Sequence, residues 1–342
     1  MSLKNLNASN KSLNKLNKSK INHKITKIYK KFESALELEE KFAVAVSGGP
    51  DSLALAYLSK NYAKKKKVQI KYFLVDHKLR DDSTNEARNI KDLLNKHKIK
   101  VEILTWRGPK PHSNIQSSAR KARYKLLLEK CKKLGIRNIL LGHHLDDLLE
   151  NFFIRILRGS GLRGLVSFDK KTVNNNINIF RPLIDLEKKD LIYITQKIFG
   201  SYVSDPSNFN ELFKRTRIRK LLLNLENEGL DKKKFLSTLK NLKTSDEAIR
   251  FNVRKNLIKN ASFLKTKKTV ILKSEFFDNS YEIVFRSLSE CIKMIGGYYH
   301  FVRGKKLDKL ISSLNNKSQF KRSLGGCIIK KIDQTVMISR EN

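Results

Sequence analysis

Acidic residues are scarce in this chain. Its 342 residues hold 33 Asp and Glu against 72 Lys and Arg, a net charge of +39. That excess runs along the whole sequence and points to a polyanionic partner, since each phosphate neutralised by a cation releases a counterion. AT-rich codon usage would also raise the Lys and Asn content, but it does not explain so few acids. Cysteine is rare too. Cys131, Cys291 and Cys327 form no CxxC pair, which removes zinc and iron–sulfur signatures. Each reads as a small buried apolar residue in a reducing compartment. No apolar run approaches the roughly 20 residues of a membrane helix, and no apolar leader segment opens the chain. A cytoplasmic protein without a membrane association is therefore expected. Residues 1–32 are Lys/Asn-rich and lack Asp and Glu, so they read as a flexible basic tail.

What is present is enough for a core, with 40% hydrophobic residues over a length that suits two domains. Short apolar runs at Phe42–Val46, Ile70–Val75, Val101–Leu104 and Asn138–Leu141 read as buried strands. Helical patterns over 53–60, 81–97, 116–134 and 146–158 separate and follow them. Strands alternating with helices imply right-handed crossovers and a parallel sheet covered on both faces. The expected fold class is therefore α/β, with a Rossmann-like domain over 33–222 and a smaller, helix-rich, basic domain over 223–342. In the latter, 223–264 reads as largely helical and 307–314 as a short helix. Val270–Leu272 and Ile283–Phe285 read as strands or helix fragments, and a hairpin is expected around Asp333-Gln334.

Three polar clusters follow strand ends: Ser47–Ser52, Asp76–Arg80 and Gly142–Asp147. In an open parallel sheet those ends line one crevice, so the clusters describe one site. The sharpest is Ser47-Gly48-Gly49-Pro50-Asp51-Ser52. Paired glycines between a strand and a helix let backbone N–H groups converge on an anion, and the helix N-terminus adds positive potential. Ser47 and Ser52 can donate to phosphate oxygens, while Asp51 can hold a Mg²⁺ that binds the same phosphates. The loop is not a Walker loop, which requires Lys after the last glycine. Asp147 and Glu150 are spaced i, i+3, and Asp146 and Glu150 i, i+4, so either pair shares a helix face. Such carboxylates can grip a cationic substrate, hold a metal or simply favour the helix dipole. His143 and His144 suit phosphate binding, proton transfer or a structural role. Arg120 and Arg123, also i, i+3, suit phosphate or carboxylate binding, or an exposed basic face.

The Ser-Gly-Gly-Pro-Asp-Ser loop resembles that of the PP-loop ATP pyrophosphatases, the adenine nucleotide alpha hydrolase-like fold. Further segments resemble one branch of that superfamily, the tRNA(Ile)-lysidine synthetases. They are Val75-Asp76-His77-Lys78-Leu79-Arg80; Asn114 and Gln116 followed by Ala119-Arg120 and Arg123-Tyr124; and Gly142-His143-His144 with Asp146, Asp147 and Glu150. Arg158-Gly159-Ser160-Gly161, Arg181-Pro182-Leu183 and Asp205-Pro206-Ser207-Asn208 continue the match in order, and Leu324–Cys327 resembles the family's tRNA-binding domain more weakly. Two positions depart from the family pattern: Asn151 stands where Thr is usual, and Thr216 where Asn is usual.

The resemblance implies a two-step reaction on a tRNA(Ile) with a CAU anticodon. The C2 oxygen of the wobble cytidine attacks the α-phosphate of ATP and releases pyrophosphate. The ε-amine of free L-lysine then displaces AMP from C2, giving a tRNA that reads AUA. The resemblance further implies ATP binding by Ser47, Gly48, Gly49, Pro50, Asp51, Ser52, Asp76, His77, Gly142 and His143. Asp51 and Asp146 are the implied metal positions, with a structural duty as the other reading of Asp146. Asp51, Arg120, Asp147 and Glu150 are the implied catalytic group, with lysine recognition given to Asp147 and Glu150. Arg215, Arg217 and Arg219 are expected to touch tRNA or clamp ATP. Tyr298, Tyr299 and Phe301 offer either stacking for RNA bases or an aromatic core patch. A homodimer is compatible with the resemblance. The competing function is another PP-loop tRNA-modifying enzyme of the thiolase type, against which the lack of paired cysteines counts.

Overall fold

The computed structural model describes residues 23–79, 82–109, 115–203, 212–264, 268–297 and 302–341. Arg80, Asn114, the Gln116 side chain, Asp205–Asn208, Tyr298, Tyr299 and Phe301 lie outside the described residues. Two compact units divide after Leu230.

The first unit is built on β1 (Phe42–Val46), β2 (Ile70–Asp76), β3 (Val101–Thr105), β4 (Asn138–Leu140), β5 (Lys171–Asn174) and β6 (Ile177–Phe180), in the order β3-β2-β1-β4-β6-β5. All pairings are parallel except β5 with β6. β1 shows why its apolar run is continuous. Phe42, Val44 and Val46 enter one buried cluster and Ala43 the cluster on the other face, beside Leu127, Leu128 and Cys131. Cys131 is fully buried, as the sequence led us to expect.

The helices are α1 (residues 23–34), α2 (Pro50–Lys66), α3 (Ser83–Lys96), α4 (Ile115–Lys133), α5 (Leu145–Ile156), α6 (Leu162–Leu165), α7 (Lys188–Phe199) and α8 (Lys214–Asn227). α2 starts with Pro50, whose fixed φ and missing N–H suit the first helical position. It buries Leu53, Leu55, Leu58 and Tyr62 on several sides, the pattern of a central helix rather than an amphipathic surface one. α1 corrects the expectation of a tail through residue 32. Ile28 and Phe32 are buried in the same cluster as α2, so residues 23–32 belong to the fold. An i, i+4 apolar pair was the signal, masked by the surrounding lysines.

The second unit holds α9 (Lys232–Asn260), α10 (Tyr281–Gly296) and α11 (Gly304–Asn316) with an antiparallel sheet. The sheet runs in the order β7 (Ala261–Leu264), β8 (Thr269–Leu272), β11 (Thr335–Arg340), β10 (Cys327–Ile332) and β9 (Gln319–Leu324). The hairpin at Asp333-Gln334 is present, with Ile332 opposite Thr335 and Asp333 at φ 54°. Gly325 and Gly326, both at positive φ, make the two-residue turn between β9 and β10. The helical reading of 223–264 runs too far: the helix ends at Asn260 and 261–264 are strand. Ile283–Phe285 lies in α10. Cys291 and Cys327 are buried in this unit's core.

Candidate functional site

The chain leaves β1 in both directions, to β2 and β4, so the ends of β1 and β4 flank the point where strand order reverses. The loop after β1 carries Ser47–Gly49 and the segment after β4 carries Gly142–His144. They lie against each other: a Cβ on Gly142 would sit 3.3 Å from the backbone of Asp51 and Ser52. A side chain there would require the loop to shift by a few tenths of an ångström. Within the loop, Ser52 Oγ accepts from Ser47 N at 3.0 Å and donates to Gly49 O at 3.0 Å. Gly48 has φ +81°, and a Cβ there would meet Ile90 at 2.3 Å. Gly49 faces open space instead. No side chain caps the N-terminus of α2, so its first-turn N–H groups and the open side of Gly49 are left as an end of the helix suited to an anion.

His144 ties this loop to α5. Its imidazole is 3% exposed, with Nε2 3.5 Å from Asp51 Oδ2 and from Asp147 Oδ2, and Nδ1 3.4 Å from Asp146 Oδ2. Burial disfavours the imidazolium, but Asp147 first, then Asp146 and Asp51, push the pKa up to about 10. Asp147 is held at about 2: burial alone would raise it, and the His144 charge, Arg215 and the His144 backbone N–H outweigh that. Asp146 Oδ2 also accepts from Lys188 N at 2.9 Å, serving the first turn of α7. Asp51 Oδ1 is buried and has no hydrogen-bond partner among the described residues.

Glu150, 2% exposed, faces α8. Arg215 Nε donates to its Oε2 at 2.7 Å and Arg219 Nε to its Oε1 at 2.5 Å. Arg215 also reaches Asp147 Oδ1 at 3.4 Å. The arginines are one helical turn apart, so both face α5.

A cationic rim surrounds His143. Its pKa falls to about 3, first through burial and then through Arg120, Arg181 and Arg215, against the pull of Asp147. Its ring meets Phe168 edge-on at 5.3 Å. Arg181, 6% exposed, donates to Asp169 O at 2.8 Å and to Thr172 Oγ1 at 3.1 Å. Arg120 lies over the Tyr124 ring, 5.2 Å from its centroid. Arg123 Nε donates to His77 Nε2 at 3.2 Å, and burial, then Arg123, hold His77 at about 4. Asp76 is a structural anchor: its carboxylate accepts from Lys78 N, Ser83 Oγ and Thr84 Oγ1. Those bonds overcome the effect of burial and lower its pKa.

The sequence-derived residues therefore fall into linked groups: the loop with Asp51; His144 with Asp146 and Asp147; Glu150; and Arg120, Arg123, His77 and His143 beside them. Sequence reasoning left the role of His144 open without joining it to Asp51, Asp146 and Asp147, and did not pair Arg215 and Arg219 with Glu150. The first could have been found from its place between a strand end and three acids. The second depends on how α8 packs on α5, which periodicity does not reveal. Arg217, read with its two neighbours, instead donates to Leu212 O at 3.1 Å. Among the described residues no cluster of three or more His, Cys, Asp or Glu is arranged to hold a metal by itself.

Comparison with known proteins bears on the family and the fold. A PP-loop domain family model matches residues 17–226. The chain is 35% identical over 319 residues to the tRNA(Ile)-lysidine synthase of Orientia tsutsugamushi (strain Boryong), covering 90% of this chain and 71% of that protein. It is 34% identical over 303 residues to that of Wolbachia pipientis wMel, covering 88% and 70%. Among solved structures, a U34-tRNA thiolase from Methanococcus maripaludis, determined with its 4Fe-4S cluster, superposes with a TM-score of 0.57. It is 18% identical and covers 66% of this chain and 79% of its own, a likeness of fold alone.

Proposed function

The chain belongs to the tRNA(Ile)-lysidine synthase family of PP-loop proteins, and on that premise we propose that it joins L-lysine to the wobble cytidine of a CAU-anticodon tRNA(Ile) at the expense of ATP. The observation that carries this reading is the glycine loop after β1 lying beside a buried acidic group, the two linked through His144. Adenylation needs donors on a triphosphate, and amine transfer needs a site for a cation beside it. Both are here within reach of one histidine.

The roles follow from the chemistry of each group. Ser47, Gly48, Gly49, Ser52 and the start of α2 hold the pyrophosphate end of ATP, with Pro50 setting the helix start. Gly142, His77 and His143 border the nucleotide, and Asp76 keeps the loop after β2 in shape. Arg120 stabilises charge on the α-phosphate as the cytidine C2 oxygen attacks. Asp147 and Glu150 receive the ammonium of lysine, which gives up a proton before its amine displaces AMP.

Mg²⁺ fits Asp51, whose buried Oδ1 has a lone pair to give, because Mg²⁺ takes few protein carboxylates and completes its shell with phosphate and water. When bound it would neutralise charge on the triphosphate. Asp146, on the far nitrogen of His144, supports that carboxylate from behind. Nothing favours a thiolase reading: Cys131, Cys291 and Cys327 are all buried, and burial pushes their thiols up to about 12, about 12 and about 11. Release of pyrophosphate should require tRNA but not lysine, whereas release of AMP should require tRNA and lysine together. Release of AMP that ignores lysine while tRNA is saturating would count against the reading.

A further inference from the structure

We propose that Arg215 and Arg219 gate the amine subsite: they occupy Glu150 and Asp147 until the triphosphate of ATP draws them off, so that lysine enters second. The inference rests on the reading that Asp147 and Glu150 receive the lysine ammonium.

Glu150 is the fixed partner. It is buried on α5, and its side chain is 3% exposed, whereas those of Arg215 and Arg219 are 38% and 31% exposed. A buried carboxylate requires a cation, and losing one without replacement costs several kcal/mol. Both of its oxygens are engaged: Oε1 by Arg219 Nε, and Oε2 by Arg215 Nε at 2.7 Å and the Arg219 terminal nitrogen at 3.5 Å. A lysine ammonium needs the same oxygens. Guanidinium and ammonium therefore exclude each other at Glu150.

What could remove the arginines is close by. Arg215 touches Asp147, whose other oxygen lies 3.5 Å from His144 Nε2, and that nitrogen lies 3.5 Å from Asp51 in the phosphate loop. Arg219 is also influenced by the charge on Asp51. A guanidinium fork matches phosphate as well as carboxylate, and a triphosphate carries more negative charge than one carboxylate. Moving there strengthens ATP binding and frees Glu150 for the amine in one event.

Calorimetric titration of L-lysine into the full-length protein, with and without a non-hydrolysable ATP analogue, tests the gate. Wild type should bind lysine about 5- to 150-fold more tightly with the analogue present, the usual range of such coupling, and saturating lysine should tighten the analogue by the same factor. Arg215→Gln should bring that ratio toward one by strengthening lysine binding to the nucleotide-free protein. Arg219→Lys, which keeps the charge but loses the fork, should keep only part of it. The wild-type measurement stands even if a variant folds poorly. Equal lysine affinity with and without the analogue, or a full ratio in folded Arg215→Gln, overturns the gate. Glu150→Gln separates the two levels of the argument. Loss of lysine binding with the analogue present keeps the subsite even where the gate fails. Unchanged binding removes the subsite and the gate with it.

Discussion

His144 Nε2 lies 3.5 Å from Asp51 Oδ2, so the segment after β4 is tied by charge to the first turn of α2. The same imidazole faces Asp146 and Asp147, making one buried cation the hub of three carboxylates. His144→Leu should therefore leave those acids without their shared cation. Removing one member of a buried ion group costs about 3–5 kcal/mol. Urea unfolding should show a loss of that order at pH 7, and the loss should shrink at acid pH as the carboxylates protonate. An unchanged midpoint would mean that the hub does not hold the loop.

Gly48 and Gly49 should respond differently to the same substitution. Gly48→Ala places a methyl group 2.3 Å from Ile90 at φ +81°, which strains the fold itself. Gly49→Ala meets only open space, so its stability should stay within about 0.5 kcal/mol of wild type. Its methyl group would nevertheless stand where phosphate is expected. Thermal unfolding and nucleotide binding together should show Gly48→Ala losing both stability and ATP, and Gly49→Ala losing ATP alone, by about tenfold or more. Normal ATP affinity in Gly49→Ala would move the phosphates elsewhere.

His77 and His143 should be neutral at every working pH. Their pKa values are held at about 4 and about 3, in both cases first by burial. In the unfolded chain a histidine titrates near 6.5. Between that value and the folded one the unfolded state binds more protons, so these two groups cost stability as pH falls from about 6.5 toward 4. An NMR titration should show both rings without a protonation step between pH 5.5 and 8. A step near 6.5 at either residue would contradict the packing described.

Much of this was legible in the sequence because it depends on local physics. Continuous apolar strands reveal a sheet covered on both faces, and a Gly-Gly loop between strand and helix reveals an anion site. What escaped depends on long-range packing or weak local signals. α1 was hidden because lysines dilute its short apolar face. The β5–β6 hairpin turns at Asn175 and Asn176, both at positive φ, within a polar stretch that resembles a loop. β7 follows α9 without a break, and only its pairing with β8 makes it a strand. The Arg215–Glu150 pair joins residues 65 apart in sequence, a relation that no spacing rule contains.

The second unit should contribute tRNA affinity rather than chemistry. Lys240 and Arg254 are exposed on α9, where they add to a basic surface suited to phosphates. Replacing both with Glu should weaken tRNA binding at moderate salt and flatten its salt dependence, while ATP binding stays as in wild type. Unaltered tRNA affinity would assign RNA binding to the first unit.

The most direct measurement is transfer of radiolabelled lysine to a CAU-anticodon isoleucine tRNA transcript, with and without ATP. The account predicts ATP-dependent incorporation into the tRNA, abolished by Asp51→Ala and by Glu150→Ala in folded protein. Incorporation that survives either substitution, or tRNA-stimulated pyrophosphate release with no lysine in the product, would contradict it.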